Sequence, residues 1–179
     1  MLWGYSVQAK GSQPDKIIVT MATIETSATR HGDWVKPDFE SLLMKKEFLE
    51  SYWPDIELVG TFHSHPYSNL RAVNKVSGWQ ASQGNGDAAF FPHFHKEIAI
   101  NQRYLAHLIV TITHLQRVRN SPPARLPGNE AKKGYILSAG KRRIWLRAYG
   151  TTFTKAKNSY QFTDESYLEI PSLQPRFQQ

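Results

Sequence analysis

The chain contains no cysteine. Disulfides and thiolate metal sites are thereby excluded, and any transition metal must be held by histidine nitrogens and carboxylate oxygens. The start, Met1-Leu-Trp-Gly-Tyr-Ser-Val, lacks the basic stretch and long apolar core of a secretory signal. The most apolar later run, Leu105 to Ile112, contains His107 and falls far short of the ~20 residues that a bilayer-spanning helix needs. These absences predict a cytoplasmic protein with no membrane segment. Neither an internal repeat nor a low-complexity tract is present, and there is no Walker-type phosphate loop or dinucleotide fingerprint. Acidic residues are scarce in one region. From Arg103 to Arg147 there are ten Lys or Arg residues against a single acid, Glu130, within an overall net charge of +7. That asymmetry predicts a positive face suited to an acidic protein or a nucleic acid, or else a solvated basic loop.

What is present suits one compact core: 179 residues, 40% of them hydrophobic and 12% aromatic. Trp3 to Ala9 reads as a strand closed by the turn signals Gly11-Ser12-Gln13-Pro14-Asp15, and Ile17 to Thr26 as a second strand in hairpin pairing with it. Arg30-His31-Gly32-Asp33 breaks the pattern. Pro37-Asp38 opens a helix to about Trp53, stopped by Pro54, with Phe39, Leu42, Leu43, Leu49 and Trp53 as its buried face. Ile56 to Phe62 is an apolar strand, and the stretch from Tyr67 to about Gly86 is irregular. A helix lies between Asp87 and Arg103, interrupted or delayed by Pro92. Leu105 to Thr113 is a buried strand, Arg119 to Lys133 a proline-containing loop, and Tyr135 to Leu137 and Ile144 to Tyr149 are strands. Mixed strands and helices around one core predict an α/β sandwich.

The strand from Ile56 runs into Gly60-Thr-Phe-His-Ser-His-Pro66. Residues two apart in a strand share a face, so His63 and His65 present two imidazoles side by side while Ser64 points away. Neutral imidazole is a common zinc ligand at about 2.0–2.1 Å, and Pro66 is expected to end the strand. A catalytic zinc usually takes three protein ligands and a water. Asp87 is the only carboxylate between His65 and Glu97, so it is the expected third ligand, with helix capping as the alternative role. Phe91-Pro92-His93-Phe94-His95 holds a second His-x-His pair, read as packed or surface histidines rather than a second metal site. His107 and His114 are read as core or edge residues. In Lys141-Arg142-Arg143-Ile144-Trp145-Leu146-Arg147, a strand puts Arg143, Trp145 and Arg147 on one face; a phosphate backbone with a base stacked on Trp145 is the functional alternative.

A strand ending in His63-Ser-His65-Pro, then a Ser-rich loop and Asp87, resembles the JAMM/MPN metalloproteases, which include bacterial JAB-domain proteins. The order of elements extends the resemblance over roughly residues 1–115, and the specific motif lies within 60–87. The resemblance implies an MPN/JAB-like fold, a mixed sheet sandwiched by helices with cytidine-deaminase-like layering, as a domain over residues 1–155. Residues 156–179 are then a C-terminal extension packed on it. It also implies a zinc ion (Zn2+) on His63, His65 and Asp87, and hydrolysis of a peptide or isopeptide bond in a protein substrate of the ubiquitin-like kind. The family places a serine three residues before the Asp. Here that position is Gly84, Asp87 lies 22 residues beyond His65, and Ser82 is the nearest upstream serine for the oxyanion role, ahead of Ser77. The family's general-base Glu aligns with Met1, which accepts no proton. Three explanations follow: a start upstream of Met1, a domain without catalysis, or substitution by Glu25; the first is the expectation carried forward. A silent MPN-like scaffold that binds a partner protein is the alternative function, with nucleic-acid binding behind it.

Overall fold

The computed structural model describes residues 1–8, 10, 15–31 and 35–174. The expected turn at 11–14, the Gly32-Asp33 break and Trp34 lie outside the described residues. The first strand, β1 (Leu2–Val7), pairs antiparallel with β2 (Lys16–Ala22), so the expected hairpin forms, with the second strand ending four residues short of Thr26. β3 (Thr29–Arg30) and β4 (Val35–Lys36) make a separate two-stranded ribbon.

Helix α1 spans Phe39–Tyr52. Its start is set by Asp38, whose carboxylate accepts from the Glu40 and Ser41 amides, the usual way an N-cap satisfies orphan helix donors. Pro54 follows the C-cap Trp53, where an imino acid cannot continue the helix. Leu42 and Leu49 are buried and Phe39 half-buried, as the periodicity predicts, but Leu43 and Trp53 are 40% and 51% exposed. The face lies along Phe39, Leu42 and Leu49, and Leu43 sits about 100° round the helix from Leu42.

Strand β5 (Glu57–Tyr67) does not stop at Pro66. It pairs parallel with β6 (Tyr104–His114) from Gly60↔Ala106 to Tyr67↔Thr113, and Pro66 lies opposite Ile112. β1 covers the other edge of β5 only as far as Gly60. Past that point the edge has no strand partner among the described residues, and a residue without an N–H is accommodated there. Two helices make the crossover: α2 (Leu70–Val76), capped by the Asn69 side chain, and α3 (Asp87–Ile98), which begins at its expected residue and contains Pro92 internally. The remaining strands are β7 (Ser121–Arg125), β8 (Gly134–Ala139), β9 (Arg142–Thr154) and β10 (Ser159–Thr163). The eight-stranded sheet runs β2-β1-β5-β6-β9-β8-β7, with β10 on β9.

The chain is thus α/β, with a mixed sheet and, among the described residues, three α-helices. The odd-numbered residues of β6 from Leu105 to Thr113 are buried, and the even-numbered ones are half-buried. The odd face carries α3, through Phe91 stacked on the His107 ring at 4.1 Å, and α2, through Val73 packed with Trp145 and Leu126. α1 joins at the sheet end, where Leu42 and Leu49 meet Trp3, Leu58, Phe94 and Leu105. The segment expected as a C-terminal extension begins inside the sheet: β10 zips onto β9, and beyond it Leu168 N–H donates to the Lys132 carbonyl and the Gln174 amide to the Tyr135 hydroxyl. No helix of the described residues is long and apolar enough to cross a membrane.

Candidate metal centre

His63 and His65 project from β5 on the face covered by α2 and α3, while Ser64 points the other way and is exposed. Asp87 is the first residue of α3, and its helix is capped by Gly86, which makes no side-chain cap bond. Its carboxylate is turned back to the strand instead. Asp87 Oδ1 lies 2.9 Å from His63 Nε2, Asp87 Oδ2 lies 3.3 Å from His65 Nε2, and the two Nε2 atoms are 3.0 Å apart. The ligand-type atoms of these three residues lie within 4.8 Å of one another, and among the described residues they form the one such group.

His65 and Asp87 are each oriented by further bonds, whereas His63 rests against the Phe91 ring. The His65 ring sets Nδ1 3.2 Å from the Gly78 carbonyl. A carbonyl only accepts, so Nδ1 carries a proton, and Nε2, which bonds Asp87 when protonated, is the nitrogen that would offer its lone pair to a metal ion, the usual outer-shell arrangement of a metal-bound histidine. The same carbonyl accepts from the Thr111 hydroxyl at 3.0 Å, and the Ala81 amide donates to the Tyr149 hydroxyl at 2.6 Å. The loop between α2 and α3 is thereby pinned to β6 and β9, and with it Asp87. Ser82 then closes on Asp87 through three bonds: its amide and hydroxyl donate to Oδ2 at 2.7 and 2.8 Å, and its oxygen accepts from the Asp87 amide at 2.9 Å.

The electrostatics follow. Burial disfavours charge on Asp87, but hydrogen bonds from His63, His65 and Ser82 and the imidazole charge outweigh it and hold the carboxyl well below its usual range. Burial likewise opposes protonation of His65, yet the Asp87 carboxylate raises its pKa above 6.5. The donor set of two imidazole nitrogens and a carboxylate suits a divalent transition metal. Around a tetrahedral zinc, ligand atoms sit about 3.3 Å apart, so the observed separations need change by only a few tenths of an ångström.

The other sequence candidates fall elsewhere. His93 and His95 do not form a pair: His93 is exposed beside Phe39, whereas His95 is buried and bonds Thr151 and the Gln102 carbonyl. His107 is a core residue, as expected, held between the Thr61 and Thr151 hydroxyls. Ser77 is the left-handed C-cap of α2 and makes no side-chain bond to the three ligands. Glu25 binds Ser27 and Lys45, and these bonds, working against burial, lower its pKa to about 2, too weak a base to take a proton from water near neutrality. Trp145 is buried against Val73 and Leu126, so it offers no surface for a stacked base. Sequence reasoning missed the Gly78 carbonyl, Thr111 and Tyr149. A backbone carbonyl leaves no sequence signal; Thr111, in register with His65, has one in its place within the apolar alternation of β6. Compared with known proteins, the chain matches no family model, no curated protein and no solved structure.

Proposed function

We propose that this chain is a metal-dependent hydrolase of the JAMM/MPN type, with zinc on His63, His65 and Asp87, acting on a peptide or isopeptide bond of a protein substrate. The observation that carries the reading is the convergence of two strand histidines and a helix-start carboxylate, 22 residues further on, around one point. A parallel β5–β6 pair with the third ligand at the start of the crossover's second helix agrees with the order of elements in that family.

A zinc ion bound there supplies an acidified water and a Lewis acid for the substrate carbonyl. Around it, His65 is fixed in its tautomer by Gly78, and Asp87 is kept ionised by its hydrogen bonds. Ser82 is the hydroxyl nearest to the ligands in the loop; turning from Asp87 towards the substrate, it would donate to the developing oxyanion. Hydrolysis also needs a base to move the water proton to the leaving amine. The β1–β5 register, Leu2 opposite Gly60, extended by one residue sets Met1 beside Thr61, two residues from His63. That is where the family's Glu belongs, and Met1 offers no carboxylate. The partner-binding scaffold is therefore the second reading, and it is favoured by this one residue.

Elemental analysis of the purified protein tests the first. About one zinc per chain is expected, lost in a His63→Ala, His65→Ala double variant. No zinc in either protein after metal is supplied would sink the hydrolase and leave the scaffold. Where zinc is found, release of an amine from an isopeptide-linked ubiquitin-like substrate separates the two readings.

A further inference from the structure

Several polar atoms deep in this fold have nothing to bond. Among the described residues, Thr113 Oγ1 and Ser138 Oγ have no hydrogen-bond partner, although their residues are only 1% and 3% exposed, and Arg143 Nε and Arg147 Nη1 are buried in the same condition. The first three are not scattered. Thr113 is the direct neighbour of Arg143 across β6 and β9, and Arg143 of Ser138 across β9 and β8. Cross-strand neighbours project from one face with Cβ atoms about 4.5–5.5 Å apart. Two hydroxyl residues therefore flank the Arg143 position in a single row, and the Arg143 guanidinium reaches along the sheet to within 5.8 Å of the Trp145 ring. An unsatisfied buried donor is destabilising, and natural folds rarely retain three together without a use for them.

The surrounding charge has one sign. No carboxylate among the described residues pairs with Arg143, in contrast to Arg147, which binds Glu130. The charged neighbour of Arg143 is Arg119, and burial together with that like charge depresses its pKa. Arg119 is brought there by its amide, which donates to the Gly140 carbonyl, and by the Leu115 amide on Lys141, which fold the 115–119 loop against the β8–β9 turn. Arg117, Lys141 and Arg142 are exposed on the same end of the sheet. A cation has no ligand here. What the row lacks is an acceptor carrying negative charge.

We propose that Thr113, Arg143 and Ser138 form a binding site for a phosphate group, with Arg119 as its second positive charge. Arginine presents a planar fork of donors matched to paired oxygens, and the two hydroxyls supply donors on either side. Three terminal oxygens and up to two negative charges match that set better than the two oxygens and single charge of a carboxylate. The row lies on the same face as the histidines, one row past His65, Thr111 and Trp145, or about 7 Å further along the strands. Trp145, in the row of His65, packs with Val73 and Leu126, and the row of Arg143 shares no residue with the metal centre, so the site does not depend on it. A free or terminal phosphate supplies those oxygens; a nucleic-acid backbone, with two terminal oxygens and one charge at each phosphate, is the poorer match.

Calorimetric titration of inorganic phosphate into the full chain tests this, in EDTA so that no metal contributes, at constant ionic strength set with chloride. Saturable binding is expected, weakened about tenfold or more in Arg143→Gln, as for loss of a charged hydrogen bond. A Thr113→Val, Ser138→Ala variant, which keeps the shape and removes only the idle hydroxyls, is expected to fold and to lose affinity as well. Binding unchanged in both variants, or an adventitious ion only, held equally by wild type and Arg143→Gln, overturns the proposal, as does the absence of any phosphate binding. A single-stranded oligonucleotide that competes with phosphate, more tightly at low salt and in an Arg143-dependent way, identifies the backbone as source. Phosphate binding without such competition identifies the free ion.

Discussion

Ser82 grips Asp87 from two directions, and this makes two separable roles for one hydroxyl. If it only orients the ligand, Ser82→Ala should weaken zinc binding by about 10- to 100-fold, the usual effect of losing a partner that positions a metal ligand. If it serves the oxyanion, kcat should fall by about 10²–10³ with zinc affinity unchanged. Competition with a chromophoric chelator, read beside turnover, distinguishes them. Further into the core, the tautomers of two histidines can be read from one end. The Gln102 carbonyl accepts from His95 Nε2, so His95 Nδ1 accepts from the Thr151 hydroxyl, whose oxygen accepts from His107 Nε2, and His107 Nδ1 accepts from Thr61. Both rings are neutral in this chain of bonds. Burial lowers both their pKa values, and a proton on a neighbouring imidazole would lower that of His107 further. The unfolded chain therefore binds more protons than the folded one once the pH drops below about 6.5, and stability falls on acidification. His65, whose pKa is raised, works in the opposite sense, its contribution being complete at low pH and lost as the pH rises. In the His63→Ala, His65→Ala variant that opposition is gone. Denaturant unfolding there should show a loss on the order of 1–2 kcal/mol between pH 7 and 5; a flat profile would contradict neutral buried imidazoles.

Among the elements, β5 does the most to fix the site, and one residue limits how closely it can lie to β6. A Cβ on Gly60 would sit 1.9 Å from the Ala106 carbonyl oxygen, which belongs to backbone and cannot swing aside. Gly60→Ala should force β5 away from β6 three residues before His63, costing about 1–3 kcal/mol as overpacking does, and zinc affinity should drop with it. A full-strength zinc site in that variant would show the histidines to be independent of the parallel pairing. The elements also show what a sequence can and cannot reveal. α1 was legible because Asp38 caps it and Pro54 stops it, and both effects are local. Leu43 and Trp53 were misplaced because α1 is apolar beyond its core face, with Met44, Phe48 and Tyr52 exposed as well. α2 was hidden in a polar stretch, although Asn69 before Leu70 and Val73 is a cap and a short apolar face. β7 was hidden by Pro122 and Pro123, which a strand tolerates at the sheet edge where β7 lies. The three candidate ligands were legible for a simpler reason: a period of two sets the histidine pair, and a single carboxylate was available to complete the cluster.

For the whole molecule, the candidate metal site joins a central strand to the start of a helix, so a metal bound there would link ligand binding to folding. Zinc at about 100 times its dissociation constant should stabilise the fold by about 2.7 kcal/mol, or roughly 5–10 °C in Tm for a chain of this size. EDTA should reverse the shift, and the histidine double variant should not show it. The basic end of the sheet, legible in the charge count, resolves into two parts. Lys133 and Arg147 are consumed by Glu130 and Asp164, whereas Arg117, Arg119 and Arg142 remain exposed. No count of charges along the chain separates these parts, because Asp164 lies outside the basic region and reaches it through β10.

The crossover between β5 and β6 also sets an order of events. A newly made or denatured chain carries His63 and His65 side by side at once, as a weak two-point handle for a cation. Asp87 is a distant third until the intervening segment has closed, and the Gly60–Ala106 register joins residues 46 apart. Parallel pairings over such separations form late, because the chain entropy is lost before any contact repays it. If the proposed site binds a metal, the rate at which a refolding chain acquires full affinity would report the completion of the sheet, and a chain stalled before that step would hold an ion by the two histidines alone.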